Sequence, residues 1–172
     1  MTSSSNRIDI VKIDTREKKN GAIETYLDTV GLPYFRSKMY VGDYKFVCNP
    51  YYVIDRKKDM SELYGNLTTQ HKRFRDEMKR AQESGIQLVV LVQEEHIKTL
   101  DDVKTWKNPQ ARYSTKALDG EEVYKRLYTM QARYGCEFLF CQKDKYPQTV
   151  IKLLREARNT WLRGIAEIYN NN

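Results

Sequence analysis

Residues 86–92 read IQLVVLV, with Gln87 the sole polar residue, and this run limits the fold more than any other stretch. It has the length of a strand but not the apolar–polar alternation of a strand with one wet face, so both of its faces need covers. The neighbouring segments supply them. Before the run, over 61–84, Leu63, Leu67, Phe74, Met78 and Ala81 step at helical spacings, and Gly85 ends the pattern. After it, Asp119 with Glu122 has the form of a capping box, opening a helix through Val123, Leu127, Met130 and Tyr134 to Gly135. CEFLFC then reads as a short strand, and a last helix starts near Pro147 with Val150, Leu154, Trp161 and Ile165 as its expected buried face.

The N-terminal half begins differently. IDIVKID (8–14) alternates and is β-branched, which predicts a strand, and GAIETYLDTVG places Ile23, Tyr26, Leu27 and Val30 on one helical face with Gly31 as the stop. YFRSKMYVGDYKFVC and YYVIDRK follow as strands joined at Asn49-Pro50. An antiparallel start followed by alternating strands and helices predicts an α/β fold, a mixed central β-sheet flanked by helices. Residues 1–172 are read as one domain, with 1–7 and 169–172 as frayed ends.

The formal charge of +7 and pI near 9.2 point toward a polyanionic partner, although solvated lysine faces give the same numbers. Three cysteines cannot all pair within one chain, and this sparse, odd count suits a reducing, intracellular compartment. Cys136 and Cys141 lack the spacing of a zinc knuckle, and His71 and His96 lie far from them in sequence. No segment is apolar enough to predict a membrane span.

The stretch VGDYKFVCNPYYVIDRKKD (41–59) places charges at the ends of two predicted strands. In an extended strand Asp55 and Lys57 project to one face while Arg56 points away, and hairpin pairing brings Asp43 toward Asp55. Two converging carboxylates repel unless a cation lies between them, and hard oxygen ligands suit Mg²⁺. Lys57 then has two possible uses: to orient or deprotonate an attacking water, or to neutralise charge developing on a phosphate. The predicted chemistry is metal-dependent phosphodiester hydrolysis. D-x-K spacing also arises by chance at the ends of surface strands.

The helix that follows carries Lys72, Arg73, Arg75, Lys79 and Arg80 away from its apolar face, a pattern that grips phosphates or simply meets solvent. WKNPQARYSTK (106–116) adds Lys107 and Arg112, with Trp106 and Tyr113 either stacking on bases or anchoring a mobile loop.

Three pieces, in order, resemble a known family. VKIDTREK, VGDY and VIDRKKDMSELYGNL are similar to the D-x-R-E, G-D and E-R-K-x-x-x-D elements of the nuclease domain of XPF-type structure-specific endonucleases, in the PD-(D/E)xK superfamily. The resemblance spans about residues 8–92 and implies a restriction-endonuclease-like fold that nicks branched or flapped DNA with Mg²⁺ or Mn²⁺. It implies that Asp43 and Asp55 are metal ligands, helped by the backbone carbonyl of Arg56. Lys57 would be the catalytic lysine, and Asp14, Arg16 and Glu17 would line the same site. The family's glutamate is Asp55 here, and its last aspartate falls on Ser61, so Glu62 is expected to substitute, with Asp59 the competing choice. After the final strand only about one long helix remains, and the resemblance then implies a stand-alone version of bacteria or their phages, acting in the cytoplasm, with a homodimer as one expected form. Two other readings stay open: a non-catalytic DNA-binding or partner subunit of the same fold, and a junction resolvase or restriction-like nuclease.

Overall fold

A computed structural model describes residues 9–18 and 21–170. Over these the chain runs β1 (Val11–Ile13), α1 (Gly21–Val30), β2 (Tyr34–Arg36), β3 (Tyr44–Phe46), β4 (Asn49–Lys57), α2 (Met60–Leu67) and α3 (His71–Glu83). It continues through β5 (Gln87–Gln93), two short 3-10 turns (Asp101–Thr105 and Pro109–Arg112), α4 (Gly120–Tyr134), β6 (Glu137–Cys141) and α5 (Tyr146–Asn170). The expected frayed segment 1–7 lies outside the described residues, as do 171 and 172.

The six strands form one mixed sheet in the order β2-β1-β3-β4-β5-β6. β1 is parallel to β2 and antiparallel to β3, β3 and β4 are antiparallel, and β4, β5 and β6 run parallel. β5 is interior, and Leu88 to Val92 are each no more than 1% exposed. Their side chains alternate between two cores. Leu88, Val90 and Val92 join Val53, Leu63, Phe74, Met78 and Leu127 under α2, α3 and α4. Val89 and Leu91 join Ile13, Ile23, Leu27, Ile54, Val150 and Leu154 under α1 and α5. Burial of each large aliphatic side chain in these layers stabilises the fold by about 1.5–3 kcal/mol. Among the described residues no helix is long and apolar enough to cross a membrane.

Four details differ from the sequence expectations. The helix expected over 61–84 is two helices, because Thr68 and Thr69 hydroxyls bond back to the carbonyls of Tyr64 and Gly65 and the Gln70 N–H also turns to Gly65. The hairpin turn is Val47–Cys48 rather than Asn49-Pro50, and Asn49 is buried inside β4. The long strand expected over 34–48 is broken into β2 and β3, with an irregular link between them that carries Gly42 and Asp43. On α5, Val150 and Leu154 are buried, but Trp161 is 36% exposed and Ile165 only half-buried, since the helix runs past the sheet.

Candidate active site

The C-terminal end of β4 sets the site. Val53, Asp55 and Lys57 point to one face and Ile54 and Arg56 to the other, as strand geometry requires. Asp55 and Lys57 are buried, and Lys57 Nζ lies 2.7 Å from Asp55 Oδ2. Apart from this ion pair, Asp55 Oδ2 has no hydrogen-bond donor. The ammonium also lies 5.4 Å from the centroid of the Phe74 ring. Burial pulls the Lys57 pKa down, but the charge of Asp55 beside it, with help from Asp43 and Glu77, holds it above the usual lysine value.

Asp43 reaches this end from the neighbouring segment. Its N–H donates to the Ile54 carbonyl at 2.8 Å, its carbonyl accepts from Asp14 N–H at 2.8 Å, and its Oδ2 accepts from Arg56 N–H at 2.8 Å. Gly42 makes the approach possible: its φ is +63°, and a Cβ there would stand 2.5 Å from Val53 Cγ1. Burial and the nearby Asp55 charge raise the Asp43 pKa well above the carboxylate range, against the opposing pull of Lys57 and the Arg56 N–H.

α3 supplies a third carboxylate that the sequence reading missed. Arg73, Glu77 and Arg80 occupy one face at i, i+4 and i+7, and Glu77 Oε1 accepts the Gly42 N–H at 3.0 Å. That spacing was visible once Phe74, Met78 and Ala81 fixed the buried face. Together with Asp43, Asp55, Lys57 and Glu62, these α3 residues line a cleft of about 260 Å³. It adjoins a shallower depression of about 570 Å³ lined by Lys18, Lys58, Asp59 and Ser61, with Arg16, Glu17, Arg56 and Glu62 shared by both.

The remaining predicted residues divide by role. Arg56 lies on the sheet's other face, where Nε donates to Gln93 Oε1 at 2.6 Å and an NH1 proton goes to Glu17 Oε1 at 3.0 Å. Its guanidinium also sits 4.4 Å over the Tyr146 ring. Asp14 is fully buried and is not among the residues lining the cleft. It accepts from Arg16 N–H at 2.7 Å, from the Arg16 guanidinium and from Met39 N–H at 3.0 Å, so it braces the wall instead. Although burial pushes the Asp14 pKa up, these donors hold it below the usual range.

Asp59 caps α2, its Oδ1 accepting the Glu62 N–H at 2.8 Å, and it lines only the outer depression. Glu62 lines both hollows, with Oε2 accepting the Lys58 N–H at 2.9 Å. Of the expected phosphate contacts, Arg73 and Arg80 face the cleft, Lys72 lines a separate hollow with Arg73, and Lys79 is exposed. Arg75 turns toward α4 instead. Lys107 and Arg112 are exposed beside Tyr113, whereas Trp106 packs 5.9 Å from the Tyr64 ring as an anchor. The cysteines are no nucleophiles: burial pushes Cys136 up to about 12 and Cys141 up to about 11.

Among the described residues no three acidic, histidine or cysteine side chains converge closely enough to form a ready metal cage. The donor set nevertheless fits a hard divalent ion held partly by water. Asp43 and Asp55 line one cleft, the charge of Asp55 raises the cost of ionising buried Asp43, and a cation between them would relieve that repulsion.

A mixed sheet with helices on both faces and an acidic, lysine-bearing cleft at its strand ends defines the restriction-endonuclease type of fold. The ERCC4 domain family model matches residues 13–154, and the chain belongs to that family. XPF from Aeropyrum pernix is similar in structure, with a TM-score of 0.64 at 19% identity over 92% of this chain and 69% of that one. XPF from Aeropyrum pernix in complex with DNA gives a TM-score of 0.63 at 18% identity, covering 88% of this chain and 66% of that one. The chain therefore spans about two thirds of the length of these structures. No curated protein matches the sequence.

Proposed function

We propose that this protein is a metal-dependent DNA endonuclease that hydrolyses phosphodiester bonds in branched or flapped DNA. The convergence of Asp43 and Asp55 at the end of β4, with Lys57 in the same cleft, carries the proposal. Membership of the ERCC4 domain family and the likeness to an XPF protein solved with DNA support it.

Asp43 and Asp55, with the Arg56 carbonyl, would hold Mg²⁺ or Mn²⁺. The ion would supply Lewis-acid polarisation of the phosphate and an acidified water. Lys57, in the same cleft, would orient or deprotonate the attacking water or offset charge developing on the phosphate. Arg73 and Arg80 flank the cleft and would hold the DNA backbone, while Glu77 fixes Gly42 and therefore the entry of Asp43. Arg56, Glu17 and Gln93 tie β4, β5 and the segment after β1 together behind the acidic residues. The setting we propose is repair, recombination or phage replication in the cytoplasm of a bacterium or infected host. Pairing of two copies would use the exposed Trp161 and Leu162 of α5.

The lack, among the described residues, of a preformed cage of three ligands favours one second reading, a fold kept for holding DNA without cutting it. Labelled duplex, flap, fork and four-way-junction DNA, incubated with Mg²⁺, Mn²⁺ or EDTA, separates the two. Incision next to a branch with either ion is expected and names the substrate. Tight binding with no incision in either ion would overturn the enzyme reading.

A further inference from the structure

A second hollow lies on a different face of α3. Between α3 and α4 runs a groove of about 310 Å³ whose lining is mostly apolar. Leu67, Met130 and Tyr134 form its floor. Basic side chains stand on both sides of its rim, His71 and Arg75 on one, Lys125, Arg126 and Arg133 on the other, with neutral Thr129 beside them and no acidic residue in the lining. Among the described residues His71, Lys125 and Arg133 make no ion pair, and all three are exposed. Arg75 Nε is buried without a hydrogen-bond partner, its nearest carboxylate being Asp76 at 3.9 Å. Arg126 is partly committed, donating to the Leu67 carbonyl at 3.1 Å.

We infer that this groove docks an acidic peptide segment of a protein partner, anchored by one aliphatic or aromatic side chain. Charge complementarity selects an anion, and the floor selects among anions. A nucleic-acid backbone offers phosphate and sugar, neither of which fills an apolar hollow. Unpaired bases need an exposed ring face to stack on; Tyr134 is 8% exposed, and the other ring in the lining, His71, stands on the rim rather than on the apolar floor. A peptide satisfies both halves: carboxylates meet Arg75, Lys125 and Arg133, and one apolar side chain occupies the space above Leu67 and Met130. The rim then steers the partner to this face, and the anchor fixes its register. The inference does not depend on cleavage, because none of Lys125, Arg133 or Met130 lines the acidic cleft.

Fluorescence anisotropy on the full chain tests it. The probes are labelled nonapeptides of Asp and Glu with a single central Leu or Phe, the same peptides with Ser at the centre, and single-stranded and duplex oligonucleotides. Wild type should bind the anchored peptides in a salt-sensitive manner and bind the Ser versions more weakly. The double variant Lys125→Gln/Arg133→Gln, checked for fold by circular dichroism, should lose at least about tenfold in peptide affinity and clearly less in oligonucleotide affinity. The proposal is overturned if no anchored peptide binds, or if the double variant binds them as well as wild type does. It is also overturned if the variant loses oligonucleotide rather than peptide binding, which would give the groove to DNA.

Discussion

Gly42 donates its N–H to Glu77 Oε1 with φ at +63°, and the next residue is the first acidic group of the cleft. Gly42→Ala would force a Cβ to 2.5 Å from Val53 Cγ1 and strain the backbone, so urea unfolding should show a loss of about 1–3 kcal/mol. Asp43 itself is under the opposite tension. Burial and Asp55 raise its pKa, so its ionised form weakens the folded state at pH values above the ordinary carboxylate range. Asp43→Asn in EDTA at pH 7 should therefore raise Tm by about 2–4 °C, equivalent to roughly 1 kcal/mol in a chain of this size. The gain should fade as the pH falls, and a lowered Tm would contradict this account. Asp14 has the reverse sign. Its lowered pKa contributes stability that is present above the ordinary value and is lost as pH falls through the folded one. Asp14→Asn should cost about 1–3 kcal/mol at neutral pH and reduce the acid sensitivity of the fold.

At the scale of elements, legibility followed how local the cause was. Helix α4 was readable at both ends because its capping box and its Gly135 stop, at φ +67°, are set by residues within one turn. The break between α2 and α3 was not, because two threonines that fit a helical pattern instead bond back to Tyr64 and Gly65. Asp55, Lys57 and Asp43 were legible from strand parity and hairpin pairing. Glu77 was missed because its partner, Gly42, lies 35 residues away in the irregular link between β2 and β3. Gly120 was similarly silent in sequence. A Cβ there would stand 2.5 Å from the Lys104 carbonyl, so α4 can dock on the 3-10 turn Asp101–Thr105 only with glycine. Gly120→Ala should thus destabilise by more than Asp119→Ala, whose lost cap is worth about 0.5–2 kcal/mol, and denaturant melts of both variants measure the order.

At the scale of the whole molecule, the sheet separates two cores and leaves its acidic residues where β3, β4 and the segment after β1 meet, between the basic face of α3 and the outer depression. A net charge of +7 favours DNA over the whole surface, but the placement of the cations makes them unequal. Reversing Arg73 and Arg80, which flank the cleft, should weaken DNA binding about tenfold or more and flatten its salt dependence, whereas reversing Lys107 and Arg112 should do less. The central claim is that buried Asp55 serves chemistry while other residues hold the DNA. Incision of end-labelled forked DNA by wild type and Asp55→Asn, in Mg²⁺ and in EDTA with binding followed by anisotropy, tests it most directly. The account predicts incision near the branch by wild type in Mg²⁺ alone, and a variant that binds the fork yet leaves it intact. Incision by Asp55→Asn at the wild-type rate, or by wild type in EDTA, would contradict it.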